Sequence, residues 1–211
     1  MYKIPKYREE DHDAIMEFMR SHPFVLVTGV GVDGKPIATQ VPVLIDEEGD
    51  QLVLLGHVMR GSDHWHGFCA NADVLAVFSG PNCPVSASWY TGIESASTWN
   101  YMAVHARGTL EMLDQDGLIE VLTGLTRMIE HAPDSKPYYE DLSEEYVSRL
   151  LPAIQAFKIT VTSLDAIFKL SQNHTLENYE NIISKLMARG ENSADVAKEM
   201  IKRRGKVFAK A

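Results

Sequence analysis

The chain has 211 residues, 45% hydrophobic and 23% charged, which is the composition of a folded domain and not of a disordered or collagen-like chain. A chain of this size buries roughly 70% of its unfolded surface, so no disulfide or metal staple is required. The formal net charge of −9 argues against nucleic-acid binding over the whole surface. No run of about 18 apolar residues marks a membrane span, and Met1 to Arg8 carries no apolar signal region, so the cytoplasm is the expected location.

In chain order, Glu9 to Ser21 places Ile15, Phe18 and Met19 at helical spacing. Phe24 to Val30 is short, apolar and β-branched, and it ends at Asp33-Gly34. Asp-Gly between two such runs predicts a tight hairpin, because glycine accepts the positive φ of the turn. Pro36 to Ile45 is the returning strand and Gln51 to His57 the next, after the turn Glu47 to Asp50. Asp63 to Asn71 reads as a helix. Val74 to Phe78, bounded by Asp73 and Gly80-Pro81, reads as a strand, as do Pro84 to Tyr90 and Met102 to Met112. Asp114 to Ala132 has helical spacing until Pro133. Two late strands, Phe157 to Thr162 and Ala166 to Leu170, precede two helices, Thr175 to Ala188 and Ser193 to Arg203. Six or more strands joined by tight turns must be antiparallel, and a barrel removes their exposed edges. No strand, glycine-rich loop and helix follow one another as a Rossmann or P-loop site requires.

Candidate chemistry concentrates between residues 56 and 105. All three tryptophans fall there. Arg60-Gly61-Ser62 at the start of a helix is a reasonable phosphate cradle, from backbone N–H groups, a hydroxyl and a forked cation; an ordinary loop capped by Ser62 is the alternative. The Trp and Tyr residues either pack a barrel end or interface, or wall a flat heteroaromatic ligand. His57, His64, His66 and His105 lack a carboxylate or cysteine at a recurrent ligand spacing, so no metal is expected, while a haem ligand stays open. Cys69 and Cys83 read as two idle thiols. No nucleophile-elbow sequence is present. Charge is uneven: Glu111 to Ser148 carries ten acids against Arg127 and Lys136, and Lys198, Lys202, Arg203, Arg204, Lys206 and Lys210 stand against Glu199 at the end.

Several strings, taken in order, resemble the PaiB family of FMN-binding split-barrel proteins, within the pyridoxamine-phosphate-oxidase-like superfamily. They are Tyr2-Lys-Ile-Pro-Lys-Tyr7, Lys35-Pro-Ile-Ala-Thr39-Gln-Val-Pro42, Gly56-His57 with Arg60 and Trp65, and Val74 to Pro81. Ser88-Trp-Tyr90, Thr98-Trp-Asn-Tyr-Met-Ala-Val-His105, Phe157-Lys158 and Lys169-Leu-Ser-Gln-Asn173 complete the series. The resemblance implies a β-rich α+β fold: a six-stranded antiparallel split β-barrel with peripheral helices, over residues 1–174, and a helical, basic C-terminal extension over 175–211. It implies a homodimer with FMN at the interface. Arg60, with Ser62, would anchor the phosphate. Thr39, Gln40, Val41 and Pro42 would line the isoalloxazine edge, beside Gly56 and His57. Trp99, Tyr101, Lys169, Gln172 and Asn173 would border the site, from the opposite subunit. The family has Asn-Pro where this chain has Ser62-Asp63, which places a carboxylate near the anchor unless it faces away or caps the helix.

Three functions follow as expectations. The family label implies a negative transcriptional regulator, with the basic C-terminal helix as the DNA-facing candidate. The superfamily implies a flavin-dependent oxidoreductase. Haem binding or degradation through His57, His105 or His174 is the third.

Overall fold

The computed structural model describes residues 1, 4–92, 94–130 and 142–209. The expected helix stop at Pro133, the opening Tyr2-Lys3 and Lys210 lie outside them. The elements are α1 (His12–Ser21), β1 (Phe24–Val30), β2 (Pro36–Pro42), β3 (Leu44–Glu48), β4 (Gln51–Met59) and α2 (Asp63–Ala70). They continue as β5 (Asp73–Val85), β6 (Thr98–Met112), α3 (Gln115–Ile129), α4 (Glu144–Leu150), β7 (Ile154–Lys169), α5 (Leu176–Arg189) and α6 (Glu191–Phe208).

The strands form one sheet in the order β2-β1-β5-β6-β7-β4-β3. There are seven, not the six expected. Pro36 to Ile45 is not one strand: it breaks at Val43, pairs with β1 before the break and with β4 after it. β2 and β3 are the two edges of the sheet, yet Val43 alone joins them. Two residue steps span at most about 7 Å, so the two edge strands come together at Val43. A run of apolar residues through a proline gives no hint of that change of partner.

Two other strand boundaries moved. β5 runs straight through Gly80-Pro81 to Val85, and Ala87–Trp89 is a 3-10 turn where a strand was expected. β1 pairs with β5 at Leu75 to Val77, short of Gly80-Pro81; proline is tolerated in a strand where no partner needs its N–H. The two late strands are a single β7, with no glycine or proline to interrupt them.

Residue contacts divide the chain into two compact units, one of residues 1–18, 79–104 and 165–211, the other of residues 19–78 and 105–164. In the second unit, α3 lays Leu118, Val121 and Leu125 against Ala156 of β7 and Leu44 of β3. That i, i+3, i+7 stripe is the apolar face its sequence showed, and each buried leucine contributes about 2 kcal/mol. Asp114 caps α3 by accepting from Gly117 N. α2 packs on the β1–β2 hairpin, where Phe68 lies against Gly29 and Ile37 against Gly67. α4, absent from the sequence expectations, starts at the cap Ser143.

In the first unit, α5 and α6 form a hairpin about Gly190, which adopts φ +71°. Tyr179, Ile182 and Leu186 of α5 and Val196, Ala197 and Met200 of α6 are fully buried, and the Tyr179 hydroxyl donates to Met200 O at 2.9 Å. A loose surface extension would leave those residues wet. α6 is part of a core.

Candidate functional site

The expected site residues fall into two groups, one in each unit. Thr39 to Pro42, Gly56, His57, Arg60 and Ser62 belong to the second. β2 is an edge strand, so the sheet leaves one side of its backbone unpaired. Val41 turns its side chain into the core and can offer a ligand only its backbone, whereas Gln40 faces out. Gly56 of β4 stands against the end of β2: a Cβ built on it would lie 3.1 Å from Pro42 O and 2.6 Å from Phe157 Cζ. Only glycine allows that approach.

His57 follows on β4, half-buried, and its Nδ1 is buried with no hydrogen-bond partner. Burial lowers its pKa, which keeps the imidazole neutral. β4 ends at Met59, and Gly61, at φ +75°, turns the chain into α2. Arg60 at that turn is tied down by its backbone N–H to Ala153 O and by Nε to Ile154 O, both at 2.9 Å. Its two terminal guanidinium nitrogens have no partner among the described residues. The fork is held at its root and open at its tip.

Ser62 is the N-cap of α2: its Oγ accepts from Trp65 N, lies 2.8 Å from Met59 O and 2.9 Å from His64 Nε2. Its single proton therefore has partners within the chain. Asp63 is the first helical residue, exposed, near the positive end of the helix dipole. Trp65, from the same motif, donates to Gln155 Oε1 at 3.0 Å and so fastens α2 to β7.

Trp99, Tyr101, Lys169, Gln172 and Asn173 belong to the first unit. The Trp99 ring is half exposed, with Nε1 donating to Asn82 Oδ1. Tyr101 is half-buried. Lys169 Nζ donates to Thr98 Oγ1 and, at 2.8 Å, to Trp99 O. Gln172 is consumed as a staple: Oε1 accepts from Leu170 N, and Nε2 donates to Lys6 O and Phe168 O. Both of its amide protons are spent, so it has no donor left for a ligand. Asn173 is exposed, its Nδ2 3.2 Å from His174 Nε2. Three residues of this neighbourhood escaped the sequence reading as site residues: Tyr90, Asn100 and Ser171. Asn100 and Ser171 sit inside the Thr-Trp-Asn-Tyr and Lys-Leu-Ser-Gln-Asn strings, and that position was their only signal.

The basic C-terminal helix is not a free cationic surface. Lys198 pairs with Asp195, Lys202 with Glu17, Arg203 with Glu9 and Glu199, Arg204 with Glu180, and Lys206 with Glu9 and Asp11. Each described cation of that run has an acid of its own chain. Both cysteines are free thiols, Cys69 exposed and Cys83 buried. Among the described residues no helix is long and apolar enough to cross a membrane, and no cluster of three or more His, Cys, Asp or Glu could hold a metal ion.

A curled antiparallel sheet with helices packed on it fits the split-barrel class. Residues 1–163 match the family described as "Putative FMN-binding domain". Over 184 residues, 87% of this chain and 88% of the relative, the sequence is 37% identical to the "Protease synthase and sporulation protein PAI 2" of Bacillus subtilis (strain 168). The chain belongs to this FMN-binding family, of the PaiB type. Among solved structures it is similar to the FAD and heme binding protein of Mycobacterium smegmatis, with TM-score 0.57 and 17% identity over 77% of this chain and 73% of that one. It is also similar to the flavocytochrome Anf3 of Azotobacter vinelandii, with TM-score 0.57 and 13% identity over 85% and 78%. At such identities the likeness is one of fold.

Proposed function

We propose that this protein is a homodimer that holds FMN along β2 and β4 and exerts its effect through the bound flavin, not through its own contact with DNA. The observation that carries the reading is the Arg60 fork, anchored at Nε, with both terminal nitrogens unpartnered among the described residues. Arg60 would take the phosphate bidentately. The backbone of Thr39 to Pro42 would meet the polar edge of the ring system. The buried, unpartnered Nδ1 of His57, beside the close approach of Gly56 to Pro42, is a group that a ligand would satisfy. These features fit the cofactor, and Ser62 and Asp63 do not oppose it, since one caps α2 and the other faces solvent. Bound flavin would supply the electron or hydride chemistry; the chain's part is to bind, orient and shield it.

A dimer is supported by the exposed apolar side chains on alternate positions of β1, Phe24, Leu26 and Val30, which form an uncovered stripe on one face. Trp99, half exposed, would come to the flavin from the second copy. The Bacillus relative's name refers to protease synthesis and sporulation, and a part in such a process without direct DNA contact agrees with the pairing of the α6 cations, each already set against an acid. The test combines an FMN titration followed by flavin fluorescence, sedimentation, and DNA retention at low salt. One FMN per chain, a dimeric mass and no DNA retention are expected. Failure to bind FMN, or retention of DNA that is lost when the exposed Lys198, Lys202 and Arg204 are replaced by glutamine, would overturn the reading.

A further inference from the structure

Within the first unit lies a cavity of about 220 Å³ whose lining includes Tyr90, Thr98, Asn100, Lys169, Ser171 and His174. Its chemistry is one-sided. Among the described residues no carboxylate lines it, and its one cation is Lys169. That ammonium spends two of its three protons on Thr98 Oγ1 and Trp99 O. Burial depresses its pKa, and no acid counters the effect. The Tyr90 hydroxyl is buried and has no hydrogen-bond partner, which is costly for a phenol. Burial and the neighbouring Tyr7 raise its pKa, so it stays a neutral donor. His174, its ring 4.4 Å from that of Tyr90, has its pKa lowered by burial and by the charges of Lys6 and Lys169, and is neutral as well.

The floor of the cavity is held in a costly conformation. Ser171 is buried with φ +63°, a region that non-glycine residues rarely occupy, and its Oγ donates to Oδ1 of the fully buried Asn100 at 3.0 Å. Such strain at a buried polar pair concentrates where a ligand is gripped. A single positive charge, an idle hydroxyl donor and two adjacent rings favour a planar monoanion. A phosphate dianion would bury a second charge that nothing here balances. At 220 Å³ the ligand must be small.

We propose that this cavity binds a small carboxylate, gripped by the Lys169 ammonium and the Tyr90 hydroxyl. Lys169 and the neighbouring Asn173 then serve a second ligand and not the cofactor. The cavity lies wholly within the first unit, apart from Arg60 and β2; because Lys169 also holds Trp99 O, the FMN affinity of its variant is read alongside.

The probes are sodium benzoate, its neutral isostere benzamide, and inorganic phosphate, each titrated calorimetrically into the flavin-free and the FMN-loaded protein. Saturable benzoate binding is expected, with benzamide and phosphate at least about tenfold weaker. Lys169→Met should weaken benzoate at least about tenfold and Tyr90→Phe about fivefold, with FMN affinity unchanged in both. Tyr90→Phe removes a hydroxyl that holds nothing, so it should melt as the parent does. Absence of saturable benzoate binding, equal binding of benzamide or phosphate, or insensitivity to both substitutions would overturn the proposal. Loss of FMN affinity in Lys169→Met would also overturn it, by returning Lys169 to the cofactor. Arg60→Gln separates the two readings: it should leave benzoate binding intact whether or not FMN binding survives.

Discussion

Gly56→Ala should destabilise the protein and loosen its hold on FMN, through one methyl group. The added Cβ would lie 2.6 Å from Phe157 Cζ, 3.1 Å from Phe157 Cε1 and 3.1 Å from Pro42 O. Carbon atoms in contact normally stand about 3.5 to 4 Å apart, so the ring would have to retreat by about 1 Å. Phe157 is fully buried and pairs directly with Gly56 across β4 and β7, leaving it little room to move. Pro42 O is backbone and cannot rotate away. Overpacking of this kind costs about 2 kcal/mol, which for a chain of this size lowers the melting temperature by about 4 to 8 °C. Differential scanning calorimetry reads the first effect and FMN titration the second, since displacement of Pro42 moves the β2 backbone assigned to the ring edge. A variant that melts within about 1 °C of the parent and binds FMN equally well would refute the close approach of the two strands.

Further outcomes follow from the charged and titratable groups. Glu9 pairs with Arg203 and Lys206 and is largely buried; burial alone would raise its pKa, but the Lys206 and Asp11 N–H bonds and the two cations outweigh it and hold the carboxyl below its usual value. Its contribution to stability is therefore present above about pH 4.5 and is lost as the pH falls through the lower folded value. Glu9→Gln should cost about 3 kcal/mol at pH 7, and the deficit should shrink on acid titration; an unchanged melting temperature would count against the cluster. His57, neutral and with a lowered pKa, should stabilise the fold above its ordinary value near 6.5 and lose that contribution as acid forces a proton onto it. Histidine NMR titration checks it, and a pKa at or above 6.5 would be the wrong result. The two thiols should differ: Cys69 is exposed, while burial pushes Cys83 up to about 11. A disulfide reagent should therefore modify one thiol readily and the second only on unfolding.

Legibility in the sequence followed the range of the interaction. Asp33-Gly34, Ser62 at the start of α2 and the apolar stripe of α3 are local signals, and each gave its element within a few residues. The switch of Val43 from one sheet edge to the other depends on the curl of the whole sheet, so a continuous strand was the natural reading. The basic tail looked like a phosphate-facing helix because its partners Glu9, Asp11 and Glu17 lie almost a chain length away. Gln172 reads as turn chemistry by composition, yet it staples Lys6 and Phe168. Of the site, Arg60 carried a readable signal, an arginine before Gly-Ser at a helix start. The orphaned His57 nitrogen and the left-handed Ser171 are properties of packing and had none.

The account rests on Arg60 as the anchor of the FMN phosphate, and a comparison of FMN with riboflavin, the same ring system without the phosphate, tests it most directly. Titrated by flavin fluorescence, the parent protein should prefer FMN by at least about tenfold, and Arg60→Gln should abolish that preference while leaving riboflavin affinity unchanged. An Arg60→Gln protein that still prefers FMN as strongly as the parent would contradict the assignment.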